Sequence, residues 1–205
     1  MPKDYEAPAE ELRYEGDPVK GSRFLASIAP IADEEEALAF VQRIRKEGPS
    51  ATHHCWAYRI ARPTERFRFS DDGEPGGSAG RPILQQIEGH GLHDICCVVT
   101  RYYGGTKLGV GGLIRAYGGC AAKALDLVAR KVQRVMVRLD VRFPYDCTSA
   151  VQGFLSSQSH EPIESDYGAS VHLAFVVPLP DAERFENELR ERTAARAQIE
   201  RGEPG

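Results

Sequence analysis

The chemistry of this 205-residue chain is concentrated between Val99 and Tyr117, in the run Val-Thr-Arg-Tyr-Tyr-Gly-Gly-Thr-Lys-Leu-Gly-Val-Gly-Gly-Leu-Ile-Arg-Ala-Tyr. A continuous apolar stretch leads into a glycine-rich loop and from there into a helical pattern. Backbone amides exposed at Gly104, Gly105, Gly109, Gly111 and Gly112, a helix N-terminus, and the cations Arg101, Lys107 and Arg115 meet there. That combination holds a negatively charged group such as phosphate. From Ile95 to Leu125 there is no Asp or Glu, although the whole chain carries a net charge of −4. The competing reading gives the glycines to sharp turns and close packing and leaves the cations solvated. The order of residues is not that of a Walker loop, because Lys107 precedes most of the glycines.

A second loop, Asp71-Asp-Gly-Glu-Pro-Gly-Gly-Ser-Ala-Gly80, gathers Asp71, Asp72 and Glu74 among glycines. Three nearby carboxylates suit a divalent cation or a general base. Asp before Gly is equally the chemistry of a turn, and without a second ligand cluster the turn reading is preferred; no metal site and no cofactor are assigned. His53, His54 and Cys55 suggest a nucleophile with its base. On a strand, however, His53 and Cys55 share one face and His54 points to the other, and Cys55 beside Trp56 reads as core. No catalytic residue is assigned.

The elements that carry these loops follow from periodicity. The first 20 residues, rich in Pro, Glu and Asp, read as a flexible arm. Lys20–Ala29 reads as a strand, and Asp33 caps a helix ending at Gly48-Pro49. Strands are expected at Thr52–Ile60 and Phe67–Ser70, a helix near Ala79–Ile87, an interior strand at Asp94–Thr100 and a helix over Gly112–Arg130. Lys131–Arg134 reads as a linker. Beyond it come a strand (Val135–Phe143), a helix (Asp146–Ser157), two strands (Glu161–Tyr167, Val171–Val177), a helix (Asp181–Ala197) and a short final strand. This β-α-β-β-α-β order is the ferredoxin-like pattern. The chain therefore reads as α+β, with an N-terminal domain over residues 21–134 and a ferredoxin-like domain over 135–205.

Charge is uneven: residues 1–135 carry 19 Lys/Arg against 18 Asp/Glu, and residues 136–205 carry 7 against 12. The acidic C-terminal part offers a surface for a protein partner, and the overall charge argues against coating nucleic acid over the whole surface. No apolar run approaches membrane-spanning length, and the polar N-terminus lacks a secretory core. Five cysteines without a C-x-x-C pair fit reduced thiols in the cytoplasm.

Two long motifs carry a resemblance. Ser70-Asp-Asp-Gly-Glu-Pro-Gly-Gly-Ser-Ala-Gly-Arg-Pro-Ile-Leu84 and Val98-Val-Thr-Arg-Tyr-Tyr-Gly-Gly-Thr-Lys-Leu-Gly-Val-Gly-Gly-Leu-Ile-Arg-Ala-Tyr-Gly118 resemble the signature of the YigZ/IMPACT family, with Lys20-Gly-Ser-Arg-Phe and His53-His-Cys-Trp-Ala-Tyr-Arg in support. The resemblance is close over about residues 15–130. It implies an N-terminal domain similar to the second domain of a small-subunit ribosomal protein, and a C-terminal domain similar to the last domain of a translocation factor. Eukaryotic relatives regulate translation through a stress-kinase pathway, using an additional N-terminal partner-binding domain that this chain lacks. The resemblance thus implies a cytoplasmic protein that binds RNA or the ribosome. The alternative is an enzyme acting on a small phosphorylated or nucleotide substrate held by the glycine-rich loop. The first requires an extended basic surface, the second one compact site where both loops converge.

Overall fold

The computed structural model describes residues 4–62, 64–158 and 161–204. Contacts divide the chain into one unit over Tyr5–Gln133 and a second from Arg134 onward.

The first unit is built on five antiparallel strands. β2 (Leu12–Glu15), β3 (Arg23–Pro30), β4 (His53–Ile60), β5 (Arg66–Ser70) and β6 (Ile95–Tyr102) lie in the order β2-β3-β6-β4-β5. The central strand β6 is buried along almost its whole length, which explains its continuous Ile-Cys-Cys-Val-Val sequence: both of its faces are covered. On one face packs α1 (Glu34–Glu47), whose Ala37, Phe40, Val41 and Ile44 meet Trp56, Tyr58, Cys96 and Val98. Asp33 caps this helix as the sequence requires, its side chain accepting the Glu36 amide at 2.8 Å. On the other face lie α2 (Gly80–Gly89) and α3 (Val110–Leu127), over Phe24, Ile28, Cys55, Cys97 and Val99.

Two expectations are corrected. The N-terminal stretch is not a loose arm: β1 (Asp4–Pro8) and β2 both lie within it, and Tyr5 and Ala7 are buried. Lys131–Arg134 is not a linker, because β7 (Arg130–Arg134) pairs with β1 in a two-stranded ribbon. Both misreadings have one cause. Ribbon strands covered on one side keep polar sequences, and their pairing spans more than a hundred residues.

The second unit runs β8 (Met136–Phe143), a 3₁₀ turn at Tyr145–Cys147, α4 (Thr148–Gln158), β9 (Glu164–Tyr167), β10 (Val171–Pro178), α5 (Leu179–Arg192) and β11 (Gln198–Pro204). Its four strands pair antiparallel in the order β11-β8-β10-β9. Alternate residues Val137, Leu139, Val141 and Phe143 of β8 join Leu173, Phe175 and Val177 of β10 under Phe154, Phe185 and Leu189 of the helices. The chain is thus α+β throughout, and no described helix is long and apolar enough to cross a membrane.

Candidate functional site

Strand register brings the chemistry together. In the β4–β6 ladder His53 stands opposite Arg101, and in the β3–β6 ladder Arg101 stands opposite Phe24. All three side chains belong to the α2/α3 face. The loop after β5 then folds over this row and inserts Glu74. Arg101 donates from Nη1 to Glu74 Oε1 at 2.7 Å, and the Tyr117 hydroxyl of α3 donates to the same oxygen at 2.7 Å. The two charged side chains are only 6% and 5% exposed, so this is a buried ion pair. Arg101 also donates to Ser22 Oγ at 3.3 Å and lies against the rings of Phe24 and Tyr103. Its Nε is buried without a partner. Among the expected phosphate-binding cations, Arg101 is therefore already neutralised.

The three acids of the 71–80 loop have separate fates. Asp71 accepts the amides of Gly77 (2.8 Å), Ala79 (2.9 Å) and Gly80 (2.9 Å). It thereby supplies the cap that Ala79, at the start of α2, cannot provide. Asp72 accepts the His54 amide at 2.6 Å and pairs with Arg45. Glu74 alone faces the Gly-rich loop. Among the described residues no group of three or more His, Cys, Asp or Glu side chains is placed to hold a metal ion.

The glycine-rich loop is equally divided. At Gly104 a Cβ would lie 2.0 Å from the carbonyl carbon of Gly21, so glycine is required there by backbone-to-backbone contact. Its amide is spent on Ser22 Oγ at 3.2 Å. Further along, Gly109 adopts φ +71° and begins α3 without a side-chain cap, and no acid lies in the first turn. The amides of Val110, Gly111 and Gly112 thus enter the helix without intrahelical acceptors. Lys107 and Arg115 are exposed and have no acidic partner among the described residues, whereas Lys123 pairs with Asp17 at 3.5 Å.

Between the two loops opens a pocket of about 500 Å³. Its floor is His53, Glu74 and Arg101. Pro75, Tyr103, Leu108, Val110 and Leu113 make largely apolar walls, and Lys107 and Gly109 stand where the chain turns into α3. Arg115 lines a separate, smaller hollow with Val19, Lys20 and Gly112. The expected anion-binding set is therefore split between two openings. Gly105, with φ +85°, belongs to the connecting turn and lines neither of them.

His53 is a residue that sequence reasoning weighed within the His53-His54-Cys55 run and left unassigned. Its Nδ1 donates to the Asp72 carbonyl oxygen at 2.7 Å, since a carbonyl only accepts. Nε2 lies 3.9 Å from Glu74 Oε1, within ion-pair distance whenever the ring is protonated. The His-His-Cys run raises His53 only as a partner for Cys55; the register, which sets it opposite Arg101, is what ties it to the pocket. His54 is a satisfied core histidine: Nδ1 is 3.0 Å from Thr100 Oγ1 and Nε2 is 3.2 Å from the Gly48 carbonyl. Burial lowers its pKa and favours the neutral ring. Cys55 donates to the Asp71 carbonyl at 3.0 Å, and burial raises its thiol pKa far above the reactive range.

A two-unit α+β chain with a glycine-rich loop running onto a helix defines the class. The family model of the Impact N-terminal domain matches residues 20–125, and that of a domain of unknown function (DUF1949) matches residues 141–196. The chain belongs to the IMPACT family. It is 37% identical over 201 residues to an IMPACT family member of Haemophilus influenzae, covering 96% of each chain. It is 38% identical over 173 residues to IMPACT family member YigZ of Escherichia coli, covering 83% of this chain and 85% of that one. Similarity to Protein IMPACT of Oryctolagus cuniculus is 34% over 92 residues, 43% of this chain and 29% of that one. A crystal structure described as that of a hypothetical protein superposes with a TM-score of 0.70 at 34% identity, covering 97% of both chains.

Proposed function

We propose that the chain binds a phosphate-bearing ligand of nucleotide size in the pocket between the 71–80 and 104–112 loops. The observation that carries this reading is their convergence on one opening. An uncapped helix N-terminus and Lys107 stand at one side, apolar walls line the middle, and a polar floor lies beneath. Phosphate belongs at Lys107 and the α3 amides, where helix dipole and cation act together. A planar base belongs between Tyr103 and the aliphatic walls. The carboxylate of Glu74 does not repel such a ligand, because Arg101 balances it.

A thermal-shift screen of the full chain against mononucleotides and inorganic phosphate tests this. A ligand at 100 times its Kd stabilises the folded state by about 2.7 kcal/mol, so a raised unfolding temperature in wild type, absent in Lys107→Ala, is expected. No shift with any nucleotide would refute the reading.

A second reading, RNA or ribosome binding linked to translation, is favoured by the exposed Lys107 and Arg115, without an acidic partner among the described residues, and by Lys20 near the same loop. These cations would track a strand's phosphates, and affinity would fall steeply with salt. The burial of all five free cysteines fits a cytoplasmic protein under either reading.

A further inference from the structure

Beside the glycine-rich loop, the turn between β2 and β3 holds a conformation that its sequence does not favour. Val19 and Ser22 exchange both backbone hydrogen bonds, at 2.8 and 3.0 Å, and the residues between them, Lys20 and Gly21, have φ of +48° and +82°. Positive φ at both central positions is the type I′ turn, which prefers Asn-Gly or Gly-Gly. Lysine lacks the short polar side chain by which Asn or Asp tolerates the left-handed region. The turn is also fixed in space. A Cβ at Gly104 would lie 2.0 Å from the Gly21 carbonyl carbon, and Ser22 Oγ accepts from the Gly104 amide at 3.2 Å and from Arg101 at 3.3 Å. Strain that its surroundings enforce in this way clusters at ligand sites.

What the turn achieves is to deliver Lys20 to a hollow of about 190 Å³ that Leu108, Gly112 and Arg115 also line. Arg115 reaches the hollow by folding back over the first turn of α3: its Nη1 lies 3.6 Å from where a Cβ of Gly111 would stand. Among the described residues no acid lines the hollow. Asp17, the acid nearest Lys20 in sequence, pairs instead with Lys123 at 3.5 Å. Two like charges set around one opening repel until an anion joins them. We infer that this hollow is a second phosphate subsite, and that the nucleotide proposed above carries a further phosphate group besides the one held at Lys107. This deepens the proposed nucleotide binding and rests on it. Leu108 lines both openings, which flank the same first turn of α3, so both lie within reach of one ligand. A phosphate accepts from an ammonium and a guanidinium at once, in charge-assisted bonds that no neutral group returns.

The test is calorimetric titration of the full chain with AMP, ADP and adenosine 3′,5′-bisphosphate. At least one of the two doubly phosphorylated ligands is expected to bind at least about 10-fold more tightly than AMP, the gain from one added charge-assisted contact. Which of them does so shows whether the second phosphate is bonded to the first or carried at the other end of the ribose. In Lys20→Asn and in Arg115→Gln the gain should shrink to about 2-fold or less. Asn suits the turn better than Lys, so Lys20→Asn should unfold at the wild-type temperature or above it, which separates a lost phosphate contact from a damaged fold. Equal affinities for AMP and both doubly phosphorylated ligands in wild type would overturn the inference while leaving nucleotide binding intact. A full gain persisting in either variant, or a lower unfolding temperature in Lys20→Asn, would overturn it too. Failure of all three ligands to bind would instead overturn the nucleotide reading and this inference with it.

Discussion

Removing one partner of the Glu74–Arg101 pair should be among the most damaging single changes in the first unit. Arg101→Met keeps the aliphatic stem against Phe24 and Tyr103 but deletes the charge. Glu74 then remains as a carboxylate 5% exposed, with the Tyr117 hydroxyl as its remaining hydrogen-bond donor among the described residues. Breaking a buried pair in this way costs about 3–5 kcal/mol, most of it the penalty of the charge left behind. For a unit of this size that is a fall in unfolding temperature of roughly 10–20 °C. Glu74→Gln should cost a similar amount for the converse reason. The double variant Glu74→Gln/Arg101→Met leaves no buried charge and should lose no more than either single variant, a coupling of at least about 3 kcal/mol. Trp56, the only tryptophan in the chain, lies buried in this unit, so its fluorescence during urea unfolding reports this transition alone. Additive losses in the double variant, or a loss below about 1 kcal/mol in Arg101→Met, would show that solvent screens the pair and that the site is not dry.

Other outcomes follow from single residues. Asp71→Ala should destabilise by about 2 kcal/mol or more, because three loop and helix amides lose their acceptor at once; urea titration measures it. Gly104→Ala should be still more harmful, since its Cβ cannot coexist with Gly21, whereas Gly119→Ala, exposed in α3 with nothing within 4 Å, should stabilise by about 0.5–1 kcal/mol. In the second unit, hydrogen bonds from Arg138 and His172 hold the Asp140 carboxylate below its ordinary pKa. A depressed acid contributes stability above its unfolded-state value and loses it as pH falls toward the folded one. Acid should therefore weaken this unit below about pH 4, and Asp140→Asn should flatten that slope in circular-dichroism melts. Burial raises the thiols of Cys55, Cys96 and Cys97, and that of Cys120 to about 11, so the native protein should resist a thiol reagent at pH 8 until denatured.

Most of the elements were legible because their periods are clean: the alternation in Val171–Val177, the Asp33 cap with three following acids, and the unbroken apolar run of β6. The ribbon of β1 and β7 was not, since polar edge strands paired across the whole unit leave no local signal. The loops were legible as places but not as arrangements. Asp71, Asp72 and Glu74 look alike in sequence, yet two serve backbone amides and one enters the pocket, a division decided by where β4, α1 and α2 end. Arg101 looked like a phosphate ligand because the acid that neutralises it lies 27 residues earlier. His53 was a candidate in the His-His-Cys run, but its place beside Glu74 came only with the register that sets it opposite Arg101.

The most direct test of the pocket as a ligand site is a ¹⁵N-resolved NMR titration of the full chain with AMP, wild type beside Lys107→Ala. Saturable shifts centred on His53, Glu74, Tyr103 and the Gly109–Leu113 amides, weakened in the variant, are the predicted result. Shifts confined to Lys20 and Arg115, or none at saturating AMP, would contradict the account and move binding away from the convergence of the two loops.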